Sequence, residues 1–437
     1  MTIEDDARLI FHQTLKAIDP KTVIRKKLKL KENTLNVEKQ AVDLSRFKEV
    51  VLIGMGKASL TAGESVEELM GERIKRGLLV CDRRRRVKVK SEVIIAGHPV
   101  PDENSFEAGR QILSLVQSCD ENSLIIFLIS GGGSSLVELP ATPEITLEDV
   151  KELNRILTGC GASIREINQV RKCISKIKGG RLGFLSRHVP TIALFISDVN
   201  PGDLESLASN PLLADDATAK AAKETIDRYG LKSRLPRSVQ EAVEEEGDRD
   251  YTIHQDGNRL ADLLLMDNSD ALEAASRFAE NRGYRAKIVR DLIEGDYEDV
   301  VEKSIHLLAN LQNEFPRSPV CLISGGEVSC PVKGSGYGGR NQEFVLYCAS
   351  RLGEMTVRSE TAVLSCGTDG IDGNSNAAGS VAIPELIRAA GDQGIISKEF
   401  IQRSDSHSFF KRMGGLIFTG PTGNNVRDVR LLLSRPC

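Results

Sequence analysis

Tryptophan is absent from the 437 residues, and aromatic side chains make up only 4% of them. Positive charge is not in excess either, because 58 lysines and arginines face 62 acids for a net charge of −4. A chain without a basic balance or interleaved aromatics is a poor match for nucleic-acid binding, and it has no global attraction to an anionic membrane. No apolar run approaches the ~20 residues needed to span a bilayer. The start, Met1-Thr2-Ile3-Glu4-Asp5-Asp6, is acidic where a signal peptide is basic. The nine cysteines contain no C-x-x-C pair, and Cys81, Cys321 and Cys366 lie inside apolar runs. They read as small buried thiols in a reducing cytoplasm, with neither a disulfide framework nor a zinc site implied. What remains is ordinary for a globular cytoplasmic protein, with 40% hydrophobic and 27% charged residues. The length exceeds one ordinary core, so two domains are expected.

The periodicity supports this. Leu9, Ile10, Leu15 and Ile18 are spaced for a helix that ends before Pro20, and the charged, alternating segment Val23 to Val37 reads as a hairpin or irregular strand. From Val50 strands alternate with helices: strand Val50 to Ile53, helix Ala58 to Met70, strands Gly77 to Val80 and Val93 to Ile95, helix Ser105 to Val116, then strands Leu124 to Ile129 and Thr191 to Ile196. That alternation predicts a parallel, doubly wound sheet. Thr146-Leu147-Glu148-Asp149 and Ser163-Ile164-Arg165-Glu166 fit capping boxes at two helix starts. Pro236 to Tyr251, charged and poor in strand formers, is the expected linker, although part of it could extend a helix. Beyond it the alternation resumes with strand Leu263 to Met266 and runs to strand Val320 to Ile323.

Two junctions carry nearly the same residues. Ser130-Gly131-Gly132-Gly133-Ser134-Ser135 follows Leu124 to Ile129, and Ser324-Gly325-Gly326-Glu327 follows Val320 to Ile323. Glycines at the carboxyl end of a buried strand let backbone N–H groups approach an anion, so both read as sites for a nucleotide or phosphorylated ligand. Gly54-Met55-Gly56-Lys57-Ala58-Ser59 places a lysine at a helix N-terminus, where the macrodipole disfavours a cation unless an anion binds. A dinucleotide fingerprint needs glycine at Ser59 and an acid ending the next strand, a part Asp82 could take. Arg171 falls inside the apolar arc Ile164, Ile167, Val170, Ile174, so it pairs with a carboxylate, faces a ligand cleft or snorkels to water. Asp198 sits directly past a strand, as an acid that holds Mg2+ or accepts a hydroxyl proton does; nearby Asp203 reads as turn chemistry. Arg340 follows the glycine-rich Gly334 to Gly339 at a helix start and offers a bidentate grip on phosphate or carboxylate. Asp369 and Asp372, in Gly367-Thr368-Asp369-Gly370-Ile371-Asp372-Gly373, suit either Mg2+ on a nucleotide or a turn. The run Asp82 to Lys90 reads as a solvated loop or edge strand, and His98 as a structural histidine or a ligand contact.

In order, G-M-G-K-A-S, A-G-H-P-V-P-D, S-G-G-G-S-S, N-x-V-R-K, K-G-G-R-L, S-D-V-x-x-G-D, S-G-G-E, G-G-R-N-Q-E and G-T-D-G-x-D-G resemble the glycerate kinases of the MOFRL type, from about Leu9 to Gly420. The resemblance implies ATP-dependent phosphorylation of D-glycerate, with 2-phosphoglycerate the expected product, and Mg2+ as metal. It implies an α/β fold of two domains, a Rossmann-like, mostly parallel domain at 1–248 and a MOFRL-type domain with a mixed sheet at 249–437, with the active site in the cleft between them. Lys57, Arg340 and Asp198 are the expected catalytic residues, and Lys57, Arg171 and Arg340 the substrate-binding ones. Ser130 to Ser135 with Gly325, Gly326 and Glu327 are expected at ATP, and Asp198, Asp369 and Asp372 at the metal. An NAD(P)-dependent hydroxypyruvate reductase, supported by Gly54, Gly56 and Asp82, is the alternative; a non-catalytic nucleotide sensor would not need Asp198 and Asp369. A homodimer is compatible with the sequence, which does not fix the oligomeric state.

Overall fold

The computed structural model describes residues 2–213, 219–245, 258–290, 294–355 and 359–436. The chain divides into two compact units, Val23–Leu265 and Met1–Thr22 with Met266–Cys437. This division differs from a cut at 248/249 in two ways. Strand Arg259–Met266 lies in the sheet of the first unit, and helix Ile3–Ala17 belongs with the second. The helix is held there by its apolar face, Ile3, Ala7, Ile10 and Phe11, all fully buried. Its Asp6, also buried, accepts from the Tyr284 hydroxyl at 2.8 Å and is ion-paired to Arg282 and Arg435.

The first unit is built on a six-stranded sheet in the order Glu92–Ile95, Ile74–Cys81, Glu49–Met55, Ser123–Ser130, Thr191–Ile196, Arg259–Met266. Its first five strands pair in parallel. Ser123–Ser130 and Thr191–Ile196 are buried along their whole length, as continuous apolar runs inside a parallel sheet require. Helix Glu103–Gln117 turns Phe106, Ala108, Ile112 and Val116 inward, with Asp102 capping it. The two expected capping boxes are both formed, by Thr146 with Asp149 and by Ser163 with Glu166. Between Val23 and Val37 the chain finishes helix Pro20–Lys27 before it enters an antiparallel meander, Leu28–Lys31, Thr34–Val37 and Gln40–Asp43. The first helix ends at Ala17, before Pro20 as expected, and Pro20 opens the next helix, where its missing N–H costs nothing. The expected linker is in part a helix, Arg237–Glu245, whose Val239, Ala242 and Val243 are buried; residues 246–251 of it lie outside the described residues.

The second unit carries a mixed six-stranded sheet in the order Arg285–Ile288, Val320–Gly326, Asp428–Pro436, Ser359–Gly367, Gly379–Ala382, Leu416–Ile417. Only the first pairing is parallel. The chain's last strand, Asp428–Pro436, inserts antiparallel between two others. Helices Tyr297–Glu314 and Arg340–Glu354 pack their buried Val301, Leu308, Phe344 and Val345 into one apolar core with this sheet.

Candidate active site

In the first unit, the ends of three parallel strands bring Lys57, Ser130 to Gly133 and Asp198 together. Strand Glu49–Met55 leaves through Gly56, whose φ of +119° suits glycine, and a Cβ there would stand 2.2 Å from Ser130 Oγ. Lys57 N–H donates to Gly131 O at 2.9 Å, and Ala58 N–H to Ser130 Oγ at 3.1 Å. The Ser130 hydroxyl therefore ties two strand ends together. The chain then turns at Gly132, with φ +84°, into the short helix Gly133–Leu136. A Cβ on Gly132 would stand 3.2 Å from Lys57 Cγ and 3.2 Å from His98 Nε2; one on Gly131 would stand 1.6 Å from Asp198 Oδ2. The glycines are therefore what lets a lysine, an imidazole and a carboxylate close on one loop. The amides of Gly132, Gly133 and Ser134 donate to no acceptor among the described residues, the arrangement an anion-binding loop needs. His98 is pushed down to about 4 by burial and then by the Lys57 charge, so its ring is neutral at pH 7.

The same loop is buttressed from behind. Ser134 Oγ lies 2.7 Å from Ser209 Oγ, which donates to Asn168 Oδ1 at 3.3 Å. Arg171, one turn beyond Asn168, bonds Asn154 Oδ1 through Nε at 2.8 Å. Burial lowers its pKa and the Glu138 carboxylate opposes that. Arg171 thus does face inward, but its observed partner is a neighbouring helix. Lys178 is fully buried in an ion pair with Glu138, beyond a helix that ends at Cys173. Asp203 accepts from Ser206 Oγ at 2.9 Å, as turn chemistry predicts.

The second unit contains the other glycine-rich segments. Arg340 is the first residue of helix Arg340–Glu354. Its Nε and Nη2 grip the buried Asp428 carboxylate at 2.6 and 3.0 Å, and Nη2 also meets Glu327 at 2.8 Å. Burial alone would lower the arginine's pKa; Asp428 and then Glu327 outweigh it and raise the value. Asp372 lies beneath the start of this helix, accepting from the backbone N–H of Asn341 at 3.0 Å and of Gln342 at 2.9 Å, and from both side-chain amides. Burial raises it to about 6. With its oxygens taken up by four donors, it caps a helix, and this geometry does not favour the expected metal role. Asp369 sits in a turn, its Oδ1 accepting from Ile371 N–H at 3.1 Å.

The second S-G-G junction departs from the first. Ser324, Gly325 and Gly326 remain in the strand, paired with Arg430, Val429 and Asp428. The carbonyls of Gly325 and Gly326 accept from the buried Arg430, and a Cβ on Gly325 would stand 1.7 Å from Asn268 Oδ1. These glycines permit close packing of protein groups, and Glu327 positions Arg340; a phosphate cradle is not formed there. Asp428 and Glu343 were missed in the sequence. The only signal was a charge opening the apolar strand Val429 to Leu433 and another three residues beyond Arg340.

Two family models match successive stretches of the chain. A domain of unknown function, DUF4147, matches residues 6–244, and the MOFRL family matches residues 320–428. The chain is 32% identical over 98% of its length to a glycerate 2-kinase of Pyrococcus horikoshii, covering 97% of that protein. It is 38% identical to a putative hydroxypyruvate reductase of Agrobacterium vitis, over 88% of this chain and 98% of that one. The crystal structure of a glycerate kinase from Thermotoga maritima superposes with a TM-score of 0.83 at 30% identity, covering 99% of each chain.

Proposed function

The chain belongs to the glycerate kinases of the MOFRL type, and we propose that it transfers the γ-phosphoryl group of ATP to D-glycerate, giving 2-phosphoglycerate. The observation that carries the reading is the convergence of Lys57, the open amides of Gly132 to Ser134 and the Asp198 carboxylate at one loop. Phosphoryl transfer asks little covalent chemistry of a protein and much positioning of charge. In this reading Lys57 and the loop amides hold phosphate oxygens, and Lys57 offsets charge that grows as the β–γ bridge breaks. Neutral His98 packs beside the lysine without adding a charge of its own. Arg340, preoriented by Asp428 and Glu327, directs a cation at the glycerate carboxylate.

The residues also fit Mg2+. Among the described residues no group of three or more His, Cys, Asp or Glu side chains is assembled. Mg2+ on a nucleotide needs only one or two carboxylates besides phosphate oxygens and water, and Asp198 at the loop supplies that kind of donor. Bound there, the ion would neutralise phosphate charge.

The test is to incubate purified protein with ATP, Mg2+ and D-glycerate, following ADP and assaying product with enolase, which accepts 2-phosphoglycerate directly. Mg2+-dependent ADP release with immediate enolase turnover is expected. Oxidation of NAD(P)H by hydroxypyruvate without ADP release would replace the kinase reading by the reductase one. Asp82, the acid a dinucleotide would need, is instead engaged by Arg83 at 2.7 Å and Arg85 at 3.6 Å.

A further inference from the structure

The second unit carries a pocket of ≈ 380 Å³ at its glycine-rich loop, lined among others by Val328, Cys330, Pro331, Gly339, Arg340 and Glu343. That volume is ample for a small metabolite. Glu343 is only 2% exposed, and its Oε1 has no hydrogen-bond partner among the described residues. A buried carboxyl oxygen left unpaired costs about 1–3 kcal/mol or more, so a group retained in that state points to a donor that arrives with a ligand. Three residues before it on the same helical face, Arg340 uses Nε and Nη2 on Asp428 and Glu327, leaving Nη1 without a partner among the described residues. The cavity therefore offers a cationic donor and an anionic acceptor one helical turn apart.

We infer that this cavity seats a hydroxy acid, with Glu343 accepting a hydrogen bond from its hydroxyl while Arg340 Nη1 meets its carboxylate. The inference rests on the proposed glycerate phosphorylation and assigns the substrate's hydroxyl recognition to a residue outside the expected set. A nucleobase amine could also satisfy Glu343, but it would leave Arg340 Nη1 without an acceptor, so the adjacent donor and acceptor favour the hydroxy acid. Glu343 and Arg340 lie on a regular helix whose start is fixed by the Asp372 cap, so their spacing is set by rigid backbone. Val328 and Pro331 add apolar groups to the same lining.

The experiment compares wild type with Glu343→Gln, which keeps volume and removes the anion, by calorimetric titration with D-glycerate and, separately, with an ATP analogue. Glycerate affinity is expected to fall about tenfold or more, with KM for glycerate rising in parallel and nucleotide affinity within about twofold. Val332→Trp is the second variant: Val332 lines the cavity yet is 82% exposed, so the change narrows the site without burdening the core. It should raise KM for glycerate several-fold. Unchanged glycerate affinity in Glu343→Gln, or a loss confined to the nucleotide, overturns the inference. Should Glu343→Gln not fold, an unchanged glycerate KM in Val332→Trp overturns it. Failure of the wild type to phosphorylate D-glycerate while still binding it counts against the proposed reaction and leaves the seat standing.

Discussion

Glu343 makes a prediction about stability that separates a functional acid from a structural one. Burial raises its pKa from 4.5 to about 7; Lys333 lowers it, and Asp372 and Glu298 raise it. No carboxylate, ammonium or hydroxyl among the described residues hydrogen-bonds its Oε1. Since the folded-state pKa lies above the unfolded one, the favourable contribution is complete below about pH 4.5 and is lost as pH rises through about 7. At about 1.36 kcal/mol per unit, the penalty of folding with this carboxylate ionised approaches roughly 3 kcal/mol at pH 8 and is under about 1 kcal/mol at pH 5. Glutamine does not titrate, so Glu343→Gln should remove about 2–3 kcal/mol of pH dependence between those values. Asp372, raised to about 6 in the same direction, is present in both proteins and cancels in the difference. The assay is thermal or urea unfolding of both proteins from pH 5 to 8, where each kcal/mol corresponds to roughly 2–4 °C for a unit of this size. The mutant's stability should gain on wild type as pH rises, while its glycerate turnover falls. Parallel stability curves would refute the reasoning, because they would mean the carboxyl is ionised at no cost.

Three further outcomes follow from the geometry. Lys57→Ala should lower kcat at least about a hundredfold, the loss typical of one group that stabilises transition-state charge, with unfolding midpoints unchanged. Arg340→Ala should cost about 3–5 kcal/mol of stability as well as activity, since it strands the buried Asp428; adding Asp428→Asn should restore most of the melting temperature but none of the turnover. Gly131→Ala puts a methyl where Asp198 Oδ2 lies, so it should match Asp198→Ala in lost turnover, and the double mutant should lose no more than either, measured as kcat at saturating substrates.

The first unit was legible because its signals are local. Buried parallel strands appear as unbroken apolar runs, and Leu124 to Ile129 and Thr191 to Ile196 could be read from composition alone. Capping boxes fix helix starts within four residues, and both predicted boxes formed. The helix Arg237–Glu245 lies within a linker that was open to a partly helical reading, and its bounds were not legible because three apolar residues in a charged stretch carry little weight against its acids. The contact of Ile3–Ala17 with the second unit was beyond reach, since nothing local records a partner more than 250 residues away.

The two S-G-G junctions show why motif chemistry outran motif geometry. Both were read as phosphate cradles from the same residues, and glycine does serve close approach in both. At Gly131 to Gly133 the strand ends, the backbone turns, and the amides of Gly132 to Ser134 remain unengaged among the described residues. At Gly325 and Gly326 an antiparallel neighbour, Asp428–Pro436, continues the ladder, and Arg430 takes the carbonyls. That neighbour comes from the chain's far end, so the deciding contact lies outside any window containing the motif. The same strand supplies Asp428, which holds Arg340, so the segment that closes the second junction to phosphate also orients the cation beside Glu343. A glycine-rich signature thus reports that something approaches the backbone closely, and the pairing of the adjacent strands determines whether that is a ligand or another part of the protein.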